Sequence, residues 1–370
     1  MRPVRIVWVL GLLHALLAWR LAAPLPLAGA AAVVLAALGS WLLIPMAFYG
    51  RRGTRPEVAD RWSWAGYIAL GHFGLVVALV LLREFGLLAA WLLGWAPHAR
   101  GSAFAVLALA PLLTLLALRN ARATPALLEV RLPVPGLAAA LEGFTVLQIS
   151  DLHVGPTIKR GWVQDVVERA NSRPVDLVAL TGDLVDGRVE DLRADLAPLA
   201  GLRSRHGVFA VTGNHEFYSG AAPWVAEWRR LGFVPLQDEH RVVEHEGATV
   251  VVAGVDDFSA AHVEPGRRSD PKQALAGAPP AALRLLLAHQ PRSAAAAAEA
   301  GFDVQLSGHT HGGQIWPWGL LVPLQQPITA GLQRVGRLRV YVSRGTGYWG
   351  PPLRLGAPSE ITRIVLVRER

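Results

Sequence analysis

The pattern of apolar and polar positions changes near residue 124. Before it, apolar residues run in long blocks at 4–21, 27–49, 64–82 and 103–118. After it, the apolar runs are short, at 144–150, 177–180, 208–211, 285–288 and 304–306, with two more at 338–343 and 361–367. Stretches with helical periodicity separate them, at 162–171, 189–199, 223–231 and 293–300. The first pattern predicts four apolar helices, and the second predicts strands alternating with helices, hence an α/β fold with largely parallel pairing.

A hydrocarbon core of about 30 Å needs roughly 20 apolar residues per helix, so each of the four blocks approaches a membrane span. The fourth is the shortest and contains Pro111. Trp41, Tyr49, Trp62, Trp64, Trp91 and Trp95 fall near the proposed ends, where an aromatic belt would lie. The first block begins like a signal peptide, but the three blocks behind it point to retention as a membrane helix. His14 and His72 fall inside proposed spans without an acidic partner there, and are expected to be neutral and hydrogen-bonded between helices. The chain is thus read as 1–123 membrane region, 124–141 linker and 142–370 α/β domain. The run 85–95 is too short to cross and is read as a re-entrant or interfacial piece.

Composition sharpens this picture. Of the 370 residues 52% are hydrophobic and 17% charged, which excludes a disordered chain. The formal charge is +8, which raises the question of a nucleic-acid partner. Up to residue 124, however, there are eleven Arg and three acids, while the remainder carries 25 basic and 25 acidic residues. All the excess charge therefore belongs to the apolar third, and no nucleic-acid partner is expected. With four spans and the N-terminus inside, Arg2, Arg5, Arg51, Arg52, Arg55, Arg61, Arg119 and Arg122 lie on one side and Arg20, Arg83 and Arg100 on the other. The positive-inside rule then predicts a multi-pass protein of the inner membrane with the domain that follows the helices in the cytoplasm. A fifth crossing would reverse that orientation. The sequence has no cysteine, so any metal must be held by His, Asn, Asp or Glu.

The short apolar runs of the second part stop at chemistry-bearing residues. They lead into Asp151-Leu-His153, Thr181-Gly-Asp183-Leu-Val-Asp186, Gly213-Asn214-His215-Glu216, His289-Gln-Pro291 and Ser307-Gly-His309-Thr-His311. Any one of these could be turn chemistry, but five in order, each closing an apolar strand, imply a built site at the carboxyl ends of a sheet.

These motifs resemble the calcineurin-like metallophosphoesterases over roughly residues 142–370. The wider forms Asp151-Leu-His-Val-Gly155, Leu287-Ala-His-Gln-Pro291 and Ser307-Gly-His-Thr-His-Gly-Gly-Gln314 resemble its bacterial membrane-associated branch, which includes phosphodiesterases and lipid-linked UDP-diacylglucosamine hydrolases. The resemblance implies a four-layer αββα sandwich with a dinuclear metal site. One ion would be held by Asp151, His153 and His311 and the other by Asn214, His289 and His309, with Asp183 bridging. Mn, Fe or Zn would suit these ligands. Two divalent cations against two ligating carboxylates leave a local charge of about +2 for hydroxide and phosphate. His215 matches the leaving-group acid and Asp186 the carboxylate that orients it.

The expected substrate is a phosphodiester or pyrophosphate at or near the membrane, with a lipid-linked molecule as one form. A phosphodiesterase on soluble substrates, anchored by its helices, is the alternative. A non-catalytic membrane sensor or transporter is the alternative of another class. Glu216, Asp256 and Asp257 are read as structural. His206, His240, His245 and His262 are read as surface histidines. Two aromatic loops, at 315–323 and 347–351, would form an apolar lip if they flank the metals.

Overall fold

The computed structural model describes residues 3–49 and 56–369. They form two compact units, one of residues 1–122 with Gly350–Leu355 and one of residues 123–349 with 356–370.

In the first unit, among the described residues, four helices are long and apolar enough to cross a membrane: Arg5–Ala22, Leu27–Phe48, Glu57–Leu92 and Ala99–Arg122. Their packing is inverted relative to a soluble bundle. Small residues meet inside, with Ala18, Ala103, Ala110, Ala117 and Ala121 buried, while Leu12, Trp19, Leu35, Leu82, Phe85, Leu112 and Leu115 face outward. Without a hydrophobic drive between helices, close approach of small side chains is the arrangement that lipid favours.

Polar side chains join the helices where the sequence left them alone. His14 Nε2 lies 3.0 Å from Ser40 Oγ, and His14 Nδ1 is 2.8 Å from the Leu10 carbonyl. His72 Nδ1 meets Thr114 Oγ1 at 2.9 Å. Both are interhelical bonds of the expected kind.

Two expectations are corrected. The run 85–95 is not a re-entrant piece, because Pro56–Leu92 is one helix of 37 residues. The polar pair Arg83-Glu84 interrupts the hydropathy without breaking the helix, since Glu84 is ion-paired with Arg20 and Arg83 donates to Ser102 Oγ and the Ala99 carbonyl. Pro111 likewise sits inside an unbroken helix, Ala99–Arg122. The supposed linker 124–141 contains a nine-residue strand, Ala126–Val134, paired along its length with the last strand of the chain. Pro133 is the strand's penultimate residue and Pro125 and Pro135 flank the strand, which lies at the sheet's edge, where a missing donor is tolerated. Arg2, Arg51, Arg52 and Arg55 of the orientation count lie outside the described residues.

Among the described residues, the second unit has twelve strands: β1 Ala126–Val134, β2 Thr145–Ile149, β3 Leu177–Thr181, β4 Val208–Val211, β5 Val234–Pro235, β6 Glu239–His245, β7 Ala248–Gly254, β8 Leu283–Leu287, β9 Val304–Ser307, β10 Gly331–Val335, β11 Leu338–Val342 and β12 Glu360–Arg368. They form two sheets, in the orders β1-β12-β2-β3-β4-β5 and β10-β11-β9-β8-β7-β6. The central pairings β2·β3, β3·β4, β7·β8 and β8·β9 are parallel.

The period-two alternation of the strands divides their side chains between faces. Val250 and Val252 join Ala179, Phe209, Leu285 and Leu306 in the core between the sheets. Their sequence neighbours Ala253 and Val255 join Leu286, Ala288, Ala294 and Ala297 on the outer face, under the helix Ala294–Ala300. Arg160–Ala170, Val189–Leu196 and Ala221–Arg230 turn buried faces inward beside the first sheet, completing the helix–sheet–sheet–helix sandwich that the resemblance implies.

Candidate metal centre

The five motifs converge. Asp151, Asp183, His289 and His309 each stand two residues beyond the end of β2, β3, β8 and β9, and Asn214 stands three beyond β4. Parallel strands from both sheets therefore deliver them to one edge of the sandwich.

The loops that carry them are held in an uncommon backbone conformation. Of the eight non-glycine residues with positive φ among those described, five are Asp151, His153, Asp183, His309 and His311. Each such residue costs on the order of 1–3 kcal/mol, which the surrounding bonds must offset. Asp151 N–H donates to the Gly182 carbonyl at 3.0 Å, His153 N–H to the Asp183 carbonyl at 3.0 Å and Gly308 N–H to the His289 carbonyl at 2.9 Å. Gly308 permits the closest approach, because a Cβ there would stand 2.0 Å from Ser150 Oγ and 2.2 Å from Asp151 Oδ2.

Two groups of three donors result, Asp151 with His153 and His311, and Asp183 with His289 and His309. In the first, His153 Nε2 faces His311 Nε2 at 3.1 Å and His311 Nε2 is 3.5 Å from Asp151 Oδ1. In the second, His289 Nε2 is 3.0 Å from Asp183 Oδ2 and 3.3 Å from His309 Nδ1. Asp183 Oδ2 also lies 3.9 Å from His153 Nε2, so its carboxylate stands between the groups. Asn214 Oδ1 is buried without a hydrogen-bond partner. Imidazole nitrogens turned on each other, two buried carboxylates and an orphaned amide oxygen are a donor set that fits borderline divalent cations.

The electrostatics of the metal-free side chains follow the same crowding. Burial of Asp183 favours its neutral form, but the His289 and His215 cations outweigh it and hold the carboxyl well below its usual range. Burial, with Asp183 alongside, pushes Asp151 up. His289 is raised well above its usual value because Asp183 overcomes burial. His309, buried beside that cation, is driven down to about 3. The group thus holds protons that a cation would displace.

Beside these groups, Asp186 Oδ1 is 2.6 Å from His215 Nδ1 and 2.9 Å from His153 Nδ1. Burial opposes the charged form of His215, yet Asp183 and Asp186 push it up to about 9. Its side chain keeps 16% exposure, enough to meet a substrate.

Glu216 is structural, as expected, but its reach is longer than a local turn. Fully buried, it accepts from the backbone N–H groups of Asp183 (2.9 Å), Leu184 (2.7 Å) and Gly213 (2.7 Å). Burial and the Asp183 charge push it up to about 8. Asp256 accepts from Thr212 Oγ1 and Gln237 Nε2, and Asp257 from Gln290 Nε2 and Ser259. Both brace loops behind the site.

Gln314 closes the motif 307–314, but the motif did not show its role. It bonds both backbone groups of Trp349, Nε2 to the carbonyl at 3.0 Å and Oε1 to the N–H at 2.9 Å, and so joins the two aromatic loops. Trp349, 54% exposed, lies with its ring 5.8 Å from that of His215. Trp316, Leu320, Leu321 and Leu324 are also exposed, so these side chains of the first loop are not packed under the fold.

Comparison with known proteins shows the family to which the chain is related. The family described as calcineurin-like phosphoesterase matches residues 144–313. The chain is 37% identical over 327 residues to a Bos taurus protein named transmembrane protein with metallophosphoesterase domain, covering 82% of this chain and 74% of that one. A Danio rerio protein of the same name is 38% identical over 255 residues, covering 67% and 58%. An uncharacterized metallophosphoesterase of Helicobacter pylori strain J99 is 39% identical over 224 residues, covering 60% and 59%. The chain thus spans less than two thirds of the zebrafish and Helicobacter proteins.

Proposed function

The chain belongs to the calcineurin-like phosphoesterase family, and on that premise we propose that it is a membrane-anchored, dinuclear metal-dependent phosphoester hydrolase acting on a phosphodiester or pyrophosphate at or near the bilayer. Membership makes it a phosphoester hydrolase that uses divalent metal. The nuclearity, the residue roles and the substrate are our reading.

The observation that carries it is the position of Asp183 between the two His groups, with an orphaned Asn214 oxygen at the same strand edge. Asp151, His153 and His311 would hold one ion, Asn214, His289 and His309 the other, and Asp183 both. Two such ions supply a hydroxide nucleophile at neutral pH and charge relief on the phosphoryl oxygens. Asp186 holds the imidazolium of His215 through Nδ1, leaving the Nε2 proton for the departing oxygen. Because the same Asp186 oxygen receives His153 Nδ1, it also fixes the ring whose Nε2 points into the first group.

The exposed Trp316, Leu320, Leu321, Leu324 and Trp349 support a substrate with an apolar portion, since large apolar side chains grouped beside a polar site mark a recognition surface. The four apolar helices support a membrane location, and their even number with the Arg distribution supports a cytoplasmic catalytic domain. A C-terminal reporter active only in the periplasm would contradict that side.

The test is a substrate panel. The metal-loaded full-length protein is assayed in detergent and in lipid vesicles on bis-p-nitrophenyl phosphate and on a UDP-linked acyl-glucosamine. The account expects turnover of the lipid-linked compound to fall several-fold in Trp316→Ala and Trp349→Ala while the soluble diester is unaffected. Equal loss or no loss on both would favour the soluble-substrate reading.

A further inference from the structure

Away from the catalytic edge, the sandwich places a third group of donors together. Asp176 stands immediately before β3, His206 two residues before β4, and His245 at the end of β6, where the chain turns into β7. These are the starts of the strands β3, β4 and β7, whereas Asp183 and Asn214 follow the ends of β3 and β4. Asp176 and His206 belong to one sheet and His245 to the other. The histidines that the sequence presents as surface residues therefore meet at the far end of the sandwich, across the gap between its sheets. His240 and His262 have no part in this group.

We propose that Asp176, His206 and His245 form a separate binding site for a borderline divalent cation of the zinc type, which ties the two sheets together. Their donor atoms converge within 4.8 Å of one another. His206 Nε2 faces His245 Nδ1 at 3.0 Å, and His245 Nδ1 is 3.8 Å from Asp176 Oδ1. A tetrahedral ion with bonds of about 2.0–2.1 Å to nitrogen holds two such nitrogens about 3.3 Å apart. The two imidazole pairs at the catalytic edge stand at 3.1 and 3.3 Å, so the remote pair has nearly the same spacing.

The surroundings orient each donor. Asp176 Oδ2 receives Thr145 N–H at 2.8 Å and Thr145 Oγ1–H at 2.7 Å, which turns Oδ1 toward the imidazoles. The buried Phe144 ring stacks against His206 at 6.2 Å and meets His245 edge-on at 4.9 Å. The Glu246 carboxylate lies 3.9 Å from His245 Nε2, beyond hydrogen-bond reach, and adds negative charge beside the group. Two imidazoles and one carboxylate suit Zn²⁺ better than Ca²⁺ or Mg²⁺, which demand oxygen.

The experiment counts zinc. Full-length protein in detergent is stripped with chelator, dialysed against Zn²⁺ and analysed for bound metal, alongside His206→Gln and Asp176→Asn. Both variants are expected to hold one zinc per chain fewer than the wild type, while their Mn²⁺-supported hydrolysis of bis-p-nitrophenyl phosphate matches it and shows them folded. Equal zinc content in the wild type and both variants would overturn the site and leave the His206–His245 contact as an imidazole–imidazole hydrogen bond. If no sample hydrolyses the diester, the catalytic reading fails, and the zinc count, with thermal unfolding as the check on folding, still decides this proposal.

Discussion

Asp186 presents one carboxylate oxygen to His215 Nδ1, at 2.6 Å, and the same oxygen receives His153 Nδ1 at 2.9 Å. The proposed proton donor and a proposed metal ligand are therefore oriented by a single atom. Asp186→Asn is expected to lower kcat on an alkyl phosphodiester by about 10²-fold or more, the range of a lost general acid. With less negative charge beside His215, the alkaline limb of the pH–rate profile should move to lower pH. An unchanged limb would separate Asp186 from the acid.

His215→Ala touches only one side of that relationship. It should keep its metal content, because His215 is in neither of the two proposed ligand sets, and lose activity in proportion to how poor the leaving group is. An alkyl ester should lose about 10²-fold or more and a nitrophenyl ester much less. Equal losses on both would remove His215 from leaving-group protonation.

Glu216 accepts three backbone N–H groups from the two loops that carry the proposed ligands Asp183 and Asn214. Glu216→Gln replaces one acceptor oxygen with a donor and leaves at least one buried N–H facing an NH₂. The expected cost is about 1–3 kcal/mol, seen as a lower unfolding temperature of the chelated protein together with weaker metal binding.

Gly308→Ala adds one carbon where Ser150 Oγ and Asp151 Oδ2 already stand within 2.2 Å of its position. Since Asp151 also receives His309 N–H at 2.9 Å, the displacement should disturb both groups of donors. The predicted result is loss of metal measured by atomic emission, with secondary structure retained by circular dichroism.

The metal-free protein should lose stability as pH rises. His215 is raised from about 6.5 to about 9, so its contribution is fully present below pH 6.5 and is lost as pH climbs through 9. The amount is on the order of 1–3 kcal/mol, with His289 adding in the same direction. In chelator, unfolding temperature should fall between pH 6.5 and 9, and His215→Gln should flatten that fall.

How much of this was legible in the chain varies with the kind of signal. The motifs of the proposed ligands were legible because each sits where a parallel strand ends, and the chain order of Asp151, Asp183, Asn214, His289 and His309 is the order of those strands. The left-handed backbone of Asp151, His153, Asp183, His309 and His311 was not, because five non-glycine residues in that region exist only through tertiary bonds. The strand in 124–141 was hidden by its prolines and by a partner more than 200 residues away. Nor could hydropathy show that Arg83-Glu84 continues a helix, since the decisive partner of Glu84 is Arg20 on another helix. His206 and His245 read as scattered surface residues for the same reason, since only the pairing of strands brings them together.

The central claim is that cations held around Asp183 drive phosphoester hydrolysis. Its most direct test is release of p-nitrophenol from bis-p-nitrophenyl phosphate by chelated full-length protein, before and after addition of Mn²⁺, with Asp183→Asn alongside. The account predicts no release before addition, restored turnover after it, and no restoration in Asp183→Asn. Turnover that ignores the chelator, or that Asp183→Asn matches, would contradict it.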